Sequence, residues 1–261
     1  MERTEILSLF KNTPADGTEI TVCGWAKNIR DSKNIGFIAL SDGGCFKTLQ
    51  VVLEAGKLEN YDAVIHICVG SKFSSCCQNA KLAAQEFGNV SVVDSENICT
   101  GQGYLVLRAA KLAADGLPPR NICMRLQALA KKVDLSFVLN QLDYMAKSGR
   151  CSGVLAFGAN ILGIKPSLAV IDGELKVVKK YRGQLPICVG KYITEKLADR
   201  DDIDTSVVFL SSCQPKPGCL EAVKAGLAQY GKFEQIIETD IGTTIGGYSG
   251  PGTIGIVFAT K

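Results

Sequence analysis

The sequence predicts an α/β chain that opens with a short antiparallel β segment. Three observations predict it. From about residue 61 onward, apolar runs of strand length alternate with longer segments of helical periodicity. Before that point there are only strand-like runs separated by turn residues. Finally, two serine- and glycine-rich segments adjoin apolar runs: Gly70-Ser71-Lys72-Phe73-Ser74-Ser75 and Gly246-Gly247-Tyr248-Ser249-Gly250-Pro251-Gly252.

The early β segment reads as residues 19–26, a polar connection over 27–34, then 35–40, a turn at 41–44 and a third run at 46–53. A three-stranded antiparallel meander is the economical arrangement. A composition shift at 55–61 separates it from the rest, which sets domains at 1–58 and 59–261. After the shift come a strand at 63–69, a helix at 76–84 and a short strand at 90–93. Helices follow at 100–114, ended by Asp115-Gly116, and at 118–133, with proline near the first turn. A strand at 136–139 and a helix at 151–162 lead to a hairpin, 164–170 and 174–181, turned at Ile171-Asp172-Gly173. A helix at 185–198, a strand at 207–210, a helix at 220–230 and strands at 233–238 and 253–259 complete the pattern.

Composition bounds the function. With 261 residues and 46% hydrophobic content the chain can build one large core or two modest ones. A net charge of +3 is too mild to require a nucleic-acid or membrane partner. No segment approaches the roughly 20 apolar residues of a membrane span. Met1-Glu2-Arg3-Thr4-Glu5 lacks a secretion leader, and the eleven cysteines, Cys23, Cys68, Cys123 and Cys188 among them, are scattered through element-like runs. Buried reduced thiols in a cytoplasmic protein are expected.

Catalytic chemistry finds little support. The only histidine, His66, sits in an apolar run and reads as a packed core residue rather than a triad member. No CxxC pair occurs, so no metal site is expected. Thr100-Gly101-Gln102-Gly103 lacks the third glycine of a dinucleotide fingerprint and reads better as a helix start, leaving no cofactor. What remains is an anion site, because the first N–H groups of a helix lack internal partners and carry partial positive charge. Ser74, Ser75, Tyr248, Ser249 and Arg150 are the candidates to hold an acidic ligand. Each has a plainer reading: Ser74 and Ser75 as helix caps, Tyr248 and Ser249 as turn residues, Arg150 as half of a surface ion pair.

From about residue 61 the chain resembles the DegV family of fatty-acid-binding proteins. The resemblance rests on Ser71-Lys72-Phe73-Ser74 followed by Gln78-Asn79-Ala80, on Asp94-Ser95 ahead of Thr100-Gly101-Gln102-Gly103, and on Leu142-Asp143-Tyr144. It continues through Lys147-Ser148-Gly149-Arg150, Leu162-Gly163-Ile164-Lys165-Pro166 and Gly250-Pro251-Gly252-Thr253-Ile254-Gly255. It implies a two-lobed α/β fold, an EDD domain, holding one long-chain fatty acid with no other cofactor. The protein would be a non-enzymatic carrier that presents the acyl carboxylate to a fatty acid kinase. The resemblance places the tail near Phe137, Leu155, Phe157 and Ile161, the carboxylate at Ser74 and the Tyr248–Ser249 loop, and the kinase toward Arg182. The family's early α/β segment with its Thr-Ser-Gln-Pro motif has no counterpart here. The family's Ser-Gly-Thr-Tyr loop reads Ser74-Ser75-Cys76-Cys77, and its late histidine is Tyr248.

Residues 1 to about 55 resemble instead the anticodon-binding OB fold of asparaginyl-tRNA synthetase. Val22-Cys23-Gly24-Trp25-Ala26, Ile29-Arg30-Asp31-Ser32-Lys33, Gly36-Phe37-Ile38 and Leu49-Gln50-Val51-Val52 carry this likeness. It implies an alternative function as a tRNA-binding module, with Phe37 as a stacking platform and Arg30 and Gln50 as phosphate or base contacts. Only three of the five barrel strands are readable, so nucleic acid is not the expected partner.

Overall fold

A computed structural model describes residues 4–32, 35–42, 44–45, 47–54, 62–151 and 163–261. The chain divides into two compact units, Met1–Asp62 and Ala63–Lys261.

The first unit holds helix α1 (Ile6–Lys11) and strands β1 (Trp25–Ser32), β2 (Ile35–Ser41) and β3 (Leu49–Glu54). The strands form an antiparallel sheet in the order β1-β2-β3. The meander is therefore as expected, but its first strand lies downstream of the predicted 19–26. β1 runs through the polar stretch 27–32, because Trp25 pairs with Ser41 and Ser32 with Ile35. Backbone ladder bonds form whatever the side chains are, so the apolar alternation at 19–23 misplaced the strand. Helix α1 was not anticipated. It is six residues long without a side-chain cap, and buries Ile6 and Leu9. The Ile6 N–H donates to Asp42 Oδ2 at 2.7 Å.

In the second unit, β4 (Val64–Cys68) and β5 (Val90–Asp94) pair in parallel, joined by helix α2 (Cys76–Ala84). Helices α3 (Cys99–Ala114) and α4 (Pro119–Ala130) follow. A six-stranded mixed sheet is built from β6 (Val133–Val138), β7 (Ile164–Ile171), β8 (Glu174–Arg182), β9 (Ile203–Cys213), β10 (Ile236–Asp240) and β11 (Thr253–Thr260). Its order is β10-β9-β11-β6-β7-β8, parallel only between β9 and β10. Helices α5 (Asp143–Ser148), α6 (Leu185–Leu197), α7 (Cys219–Tyr230) and α8 (Thr243–Ser249) complete the unit.

The sheet is covered on both faces. One core joins Leu135, Phe137 and Val257 to Tyr104, Leu105 and Leu126 from α3 and α4. The other joins Val138, Ile256 and Phe258 to Val189, Ile193 and Val223 from α6 and α7. Residues 254–259 of β11 are accordingly buried on both sides, which is why that stretch reads as an unbroken apolar run.

Several expectations need correction. The helix predicted at 118–133 ends at Ala130, and Val133 opens β6 instead. A buried alternation, Val133 then Leu135, takes over from helical spacing within three residues. Strand 207–210 is the middle of the longer β9, and 233–238 moves to β10. Helix α5 was missed; it is closed by Gly149 at φ 66°, a left-handed cap. The helix expected at 151–162 lies outside the described residues except Cys151, which is buried and outside any helix. The hairpin is as expected: Asp172 and Gly173 have φ of 53° and 73°, the geometry of a tight two-residue turn. His66, predicted in the core, is exposed, because strand side chains alternate between the two faces and His66 projects to the same side as the exposed Val64. Of the thiols expected to be buried, Cys68 and Cys188 are, Cys123 is half-buried and Cys23 is exposed. All eleven cysteines are free.

Candidate functional site

A cavity of about 350 Å³ lies against the first-core face of the six-stranded sheet, within the second unit. Its size is in the range of small-molecule sites. Phe137, Leu135 and Val257 from the sheet, Val69, Phe73 and Ile98 from the loops after β4 and β5, and Met145 from α5 give it an apolar wall. A few polar groups interrupt that wall. Ser74, Arg150, Tyr248 and Ser249 all line the cavity, so the fold brings together four of the five residues singled out for an acidic ligand. Ser75 is not among its lining residues; it is exposed, at the N-cap of α2.

Ser74 reaches the cavity because β4 ends at Cys68 and the chain makes one turn, Phe73 N–H to Gly70 carbonyl at 2.9 Å, before α2 begins. The turn is clamped from β5. Asp94 accepts from the Ser71 N–H at 3.1 Å and from the Glu96 N–H at 2.9 Å. Burial would raise the Asp94 carboxyl, but these hydrogen bonds and the charge of Lys81 outweigh it and hold the group below its ordinary value. Ser74 Oγ accepts the Cys76 N–H at 3.2 Å, satisfying one of the orphan donors of α2. Its own proton points to Cys76 Sγ at 3.0 Å, a weak acceptor. Beneath the loop, burial first and then the neighbouring Cys77 and Asp94 push the Cys68 thiol up to about 12, which leaves it an inert core group.

The second serine-bearing segment is built differently from the expected loop. Residues 246–249 belong to α8, and the chain turns only at Gly250, whose φ is 79°. Tyr248 and Ser249 therefore sit at a helix C-terminus, where no free N–H groups point outward. Ser249 is 3% exposed, and its Oγ has no hydrogen-bond partner among the described residues. An unpaired buried hydroxyl costs roughly 1–3 kcal/mol. Its carbonyl accepts from Thr253 Oγ1 at 2.9 Å, which fixes α8 to the start of β11. The Arg150 guanidinium lies 5.4 Å from the Tyr248 ring centroid and donates from Nη1 to the Ser148 carbonyl at 2.6 Å.

Sequence reasoning missed several lining residues. Thr100 Oγ1 and Ser211 Oγ are hydrogen-bonded to each other at 2.8 Å, one on α3 and one on β9. Gln102, also in the wall, spends its amide on the Ile67 carbonyl at 2.8 Å. Thr100 lay inside a motif set aside as a helix start, and nothing in one strand of sequence shows which of Ser211 and Ser212 faces the cavity. Phe137 lines the wall as expected, while Leu155, Phe157 and Ile161 lie outside the described residues. Arg182 is exposed at the end of the sheet-edge strand β8, opposite Ile164, and is not among the lining residues. In the first unit, Ala39 pairs with Gln50 and Phe37 with Val52, which places Phe37 and Gln50 on one face of the sheet; Arg30 pairs with Phe37.

Among the described residues no group of three or more metal-ligating side chains occurs, and no helix is long and apolar enough to cross a membrane.

The fold and the cavity define an α/β protein with an apolar ligand chamber edged by hydroxyls and one guanidinium. The chain belongs to the DegV family: the family profile described as uncharacterised protein, DegV family, matches residues 30–261. A DegV domain-containing protein of Caldanaerobacter subterraneus subsp. tengcongensis is 30% identical over 208 residues, 78% of this chain and 73% of that protein. A DegV lipid-binding protein from Thermotoga maritima, solved by crystallography, is similar with a TM-score of 0.66 and 25% identity, over 78% of this chain and 71% of that one. The fatty acid kinase B3 protein of Streptococcus pneumoniae, solved loaded with linoleic acid, shares the fold with a TM-score of 0.67. Its identity is 17%, over 78% of this chain and 74% of that one. The family match begins inside the first unit and runs through β2 and β3, the stretch in which an OB fold was expected, and the similar proteins and structures give nucleic-acid binding there no support.

Proposed function

We propose that this chain is a non-catalytic cytoplasmic carrier that binds one long-chain fatty acid and presents its carboxylate to a fatty acid kinase. The observation that carries the reading is Ser249: a buried hydroxyl without a partner among the described residues, in an apolar cavity that Arg150 and Tyr248 also line. An alkyl chain is the ligand such a wall rewards, at about 0.8 kcal/mol for each methylene buried. A carboxylate is the head group that both a guanidinium and free hydroxyls can satisfy. Membership of a family that includes the Thermotoga lipid-binding protein, and the linoleic acid in the streptococcal structure, support the same ligand. In this reading the carboxylate meets Ser249, Arg150, the Tyr248 hydroxyl and the Ser74 hydroxyl, whose proton is held only by a sulfur. Ser75 contributes the start of α2. Arg182, exposed and outside the cavity, faces the kinase.

The test is direct. Organic extract of the purified protein, analysed by mass spectrometry, should contain fatty acid in roughly equimolar amount. An extract without fatty acid, together with no saturable uptake of added oleate, overturns the reading.

A further inference from the structure

We propose that the cavity selects an acyl chain that carries a hydroxyl group along its length, which it binds through Thr100 and Ser211. This rests on the fatty-acid reading above and narrows it to a substrate class. A wall meant only for methylenes has no use for a pair of hydroxyls. Yet Thr100 Oγ1 and Ser211 Oγ both line the chamber, 2.8 Å apart, with Ser211 only 5% exposed. Two other polar groups in the wall are spent on the protein itself. Ser136 Oγ is bonded to the Tyr192 hydroxyl on the far face at 2.8 Å, and Gln102 to the β4 backbone.

The Thr100–Ser211 pair is not spent. If Thr100 donates to Ser211, the Ser211 proton has no acceptor among the described residues. If instead Ser211 donates to Thr100, its own lone pairs are empty. A hydroxyl on the ligand meets either arrangement because it both donates and accepts. A carbonyl or an ether oxygen meets only the first.

The pair is also placed away from the proposed carboxylate end. Thr253, bonded to the Ser249 carbonyl, starts β11, and Ser211 stands opposite Gly255, two residues further along. Two strand residues span about 7 Å. The hydroxyl pair thus meets the chain rather than its head group.

The experiment uses the delipidated full-length chain and measures competitive displacement of a fluorescent fatty acid. Stearate is compared with a series of monohydroxystearates whose hydroxyl sits at successive mid-chain carbons. At least one isomer should bind roughly three- to tenfold tighter than stearate, the gain of one net hydrogen bond. That ratio should fall to about one in both Ser211→Ala and Thr100→Val, each checked for native circular dichroism. If stearate binds and no isomer binds tighter, the substrate class is wrong while the fatty-acid reading stands. If one isomer is preferred and the preference survives both variants, the assignment to Thr100 and Ser211 is wrong. If neither stearate nor any isomer binds, both the fatty-acid reading and this narrowing fall.

Discussion

The two serine-bearing segments that line the cavity look alike in sequence and are opposite in structure. The first, 70–75, leads into the N-terminus of α2, and its Ser74 oxygen is occupied by a backbone N–H of that helix. The second ends α8 at its C-terminus, and its Ser249 oxygen is buried with no partner among the described residues. A short Gly/Ser-rich stretch beside an apolar strand therefore does not by itself make an anion site of the helix-dipole kind. In one segment the hydroxyl is used to start a helix; in the other it is held in reserve. The reserve is costly unless a ligand fills it, and so Ser249 rather than Ser74 should dominate recognition.

The sharpest way to break this comparison is at the glycines of the second segment. Gly250 has φ 79°, and a Cβ there would stand 2.5 Å from the Tyr144 ring. Gly250→Ala should destabilise the protein by about 2–4 kcal/mol, combining left-handed strain with overpacking. Gly247 lies inside α8 with open space around it. Gly247→Ala should gain roughly 0.5–1 kcal/mol from helix propensity. Urea denaturation of the two variants reads both effects. Equal, small changes would mean that the turn after α8 is not held as described.

Next in size is a crossed effect between the serines. Ser249→Ala should leave the ligand-free protein as stable or slightly more so, since no bond is lost, while fatty-acid affinity falls about 10- to 100-fold. Ser74→Ala should cost roughly 0.5–1 kcal/mol of stability through the lost bond to the Cys76 N–H and weaken binding less than Ser249→Ala does. Fluorescent fatty-acid titration beside thermal unfolding separates the two. If Ser74→Ala proves the more damaging to affinity, the roles assigned to the two segments are reversed.

A smaller effect concerns the clamp on the first segment alone. The Asp94 carboxylate is held below its ordinary value by hydrogen bonds from the Ser71 side chain and from the Glu96 and Ser71 N–H groups and by the charge of Lys81, against the opposing effect of burial. A depressed carboxylate contributes stability that is present above its unfolded value, near 4, and is lost as pH falls through the lower folded value. Wild type should thus exceed Asp94→Asn by at most about 1 kcal/mol at pH 6, given its partial exposure, and the gap should shrink as pH falls below the ordinary carboxylate value near 4. Denaturation midpoints of both proteins across that range check this; a gap independent of pH would remove the clamp from the account.

These effects also mark how much was legible in sequence. The α/β alternation, the 164–182 hairpin and the meander were readable because Asp172-Gly173 demands left-handed geometry and apolar periods were clean. The boundary between α4 and β6 was not, since Ala130 to Leu135 fits both a helical and an alternating pattern over so short a span. His66 was misjudged because apolar neighbours in sequence say nothing about which face of a strand the fold covers. Ser74, Arg150, Tyr248 and Ser249 were readable as candidates, but which serine has a spare oxygen depends on the direction of a helix. Thr100 and Ser211, 111 residues apart, meet only in the fold.

The smallest expected effect tests whether the second segment faces the carboxylate at all. Tyr248 stacks against the Arg150 guanidinium and offers a hydroxyl that can donate to a carboxylate. His66, the chain's only histidine, is not among the cavity-lining residues. Fatty-acid affinity should therefore be flat between about pH 6 and 8, where an imidazole ordinarily titrates. Tyr248→His introduces a group that gains positive charge at the acidic end of that window. Facing a carboxylate at partial exposure, that charge should improve affinity only about two- to threefold at pH 6, with the gain fading by pH 8. Titrations at both pH values read this directly. An affinity for Tyr248→His that matches the wild type at every pH would mean that α8 presents its C-terminus to the acyl chain rather than to the head group.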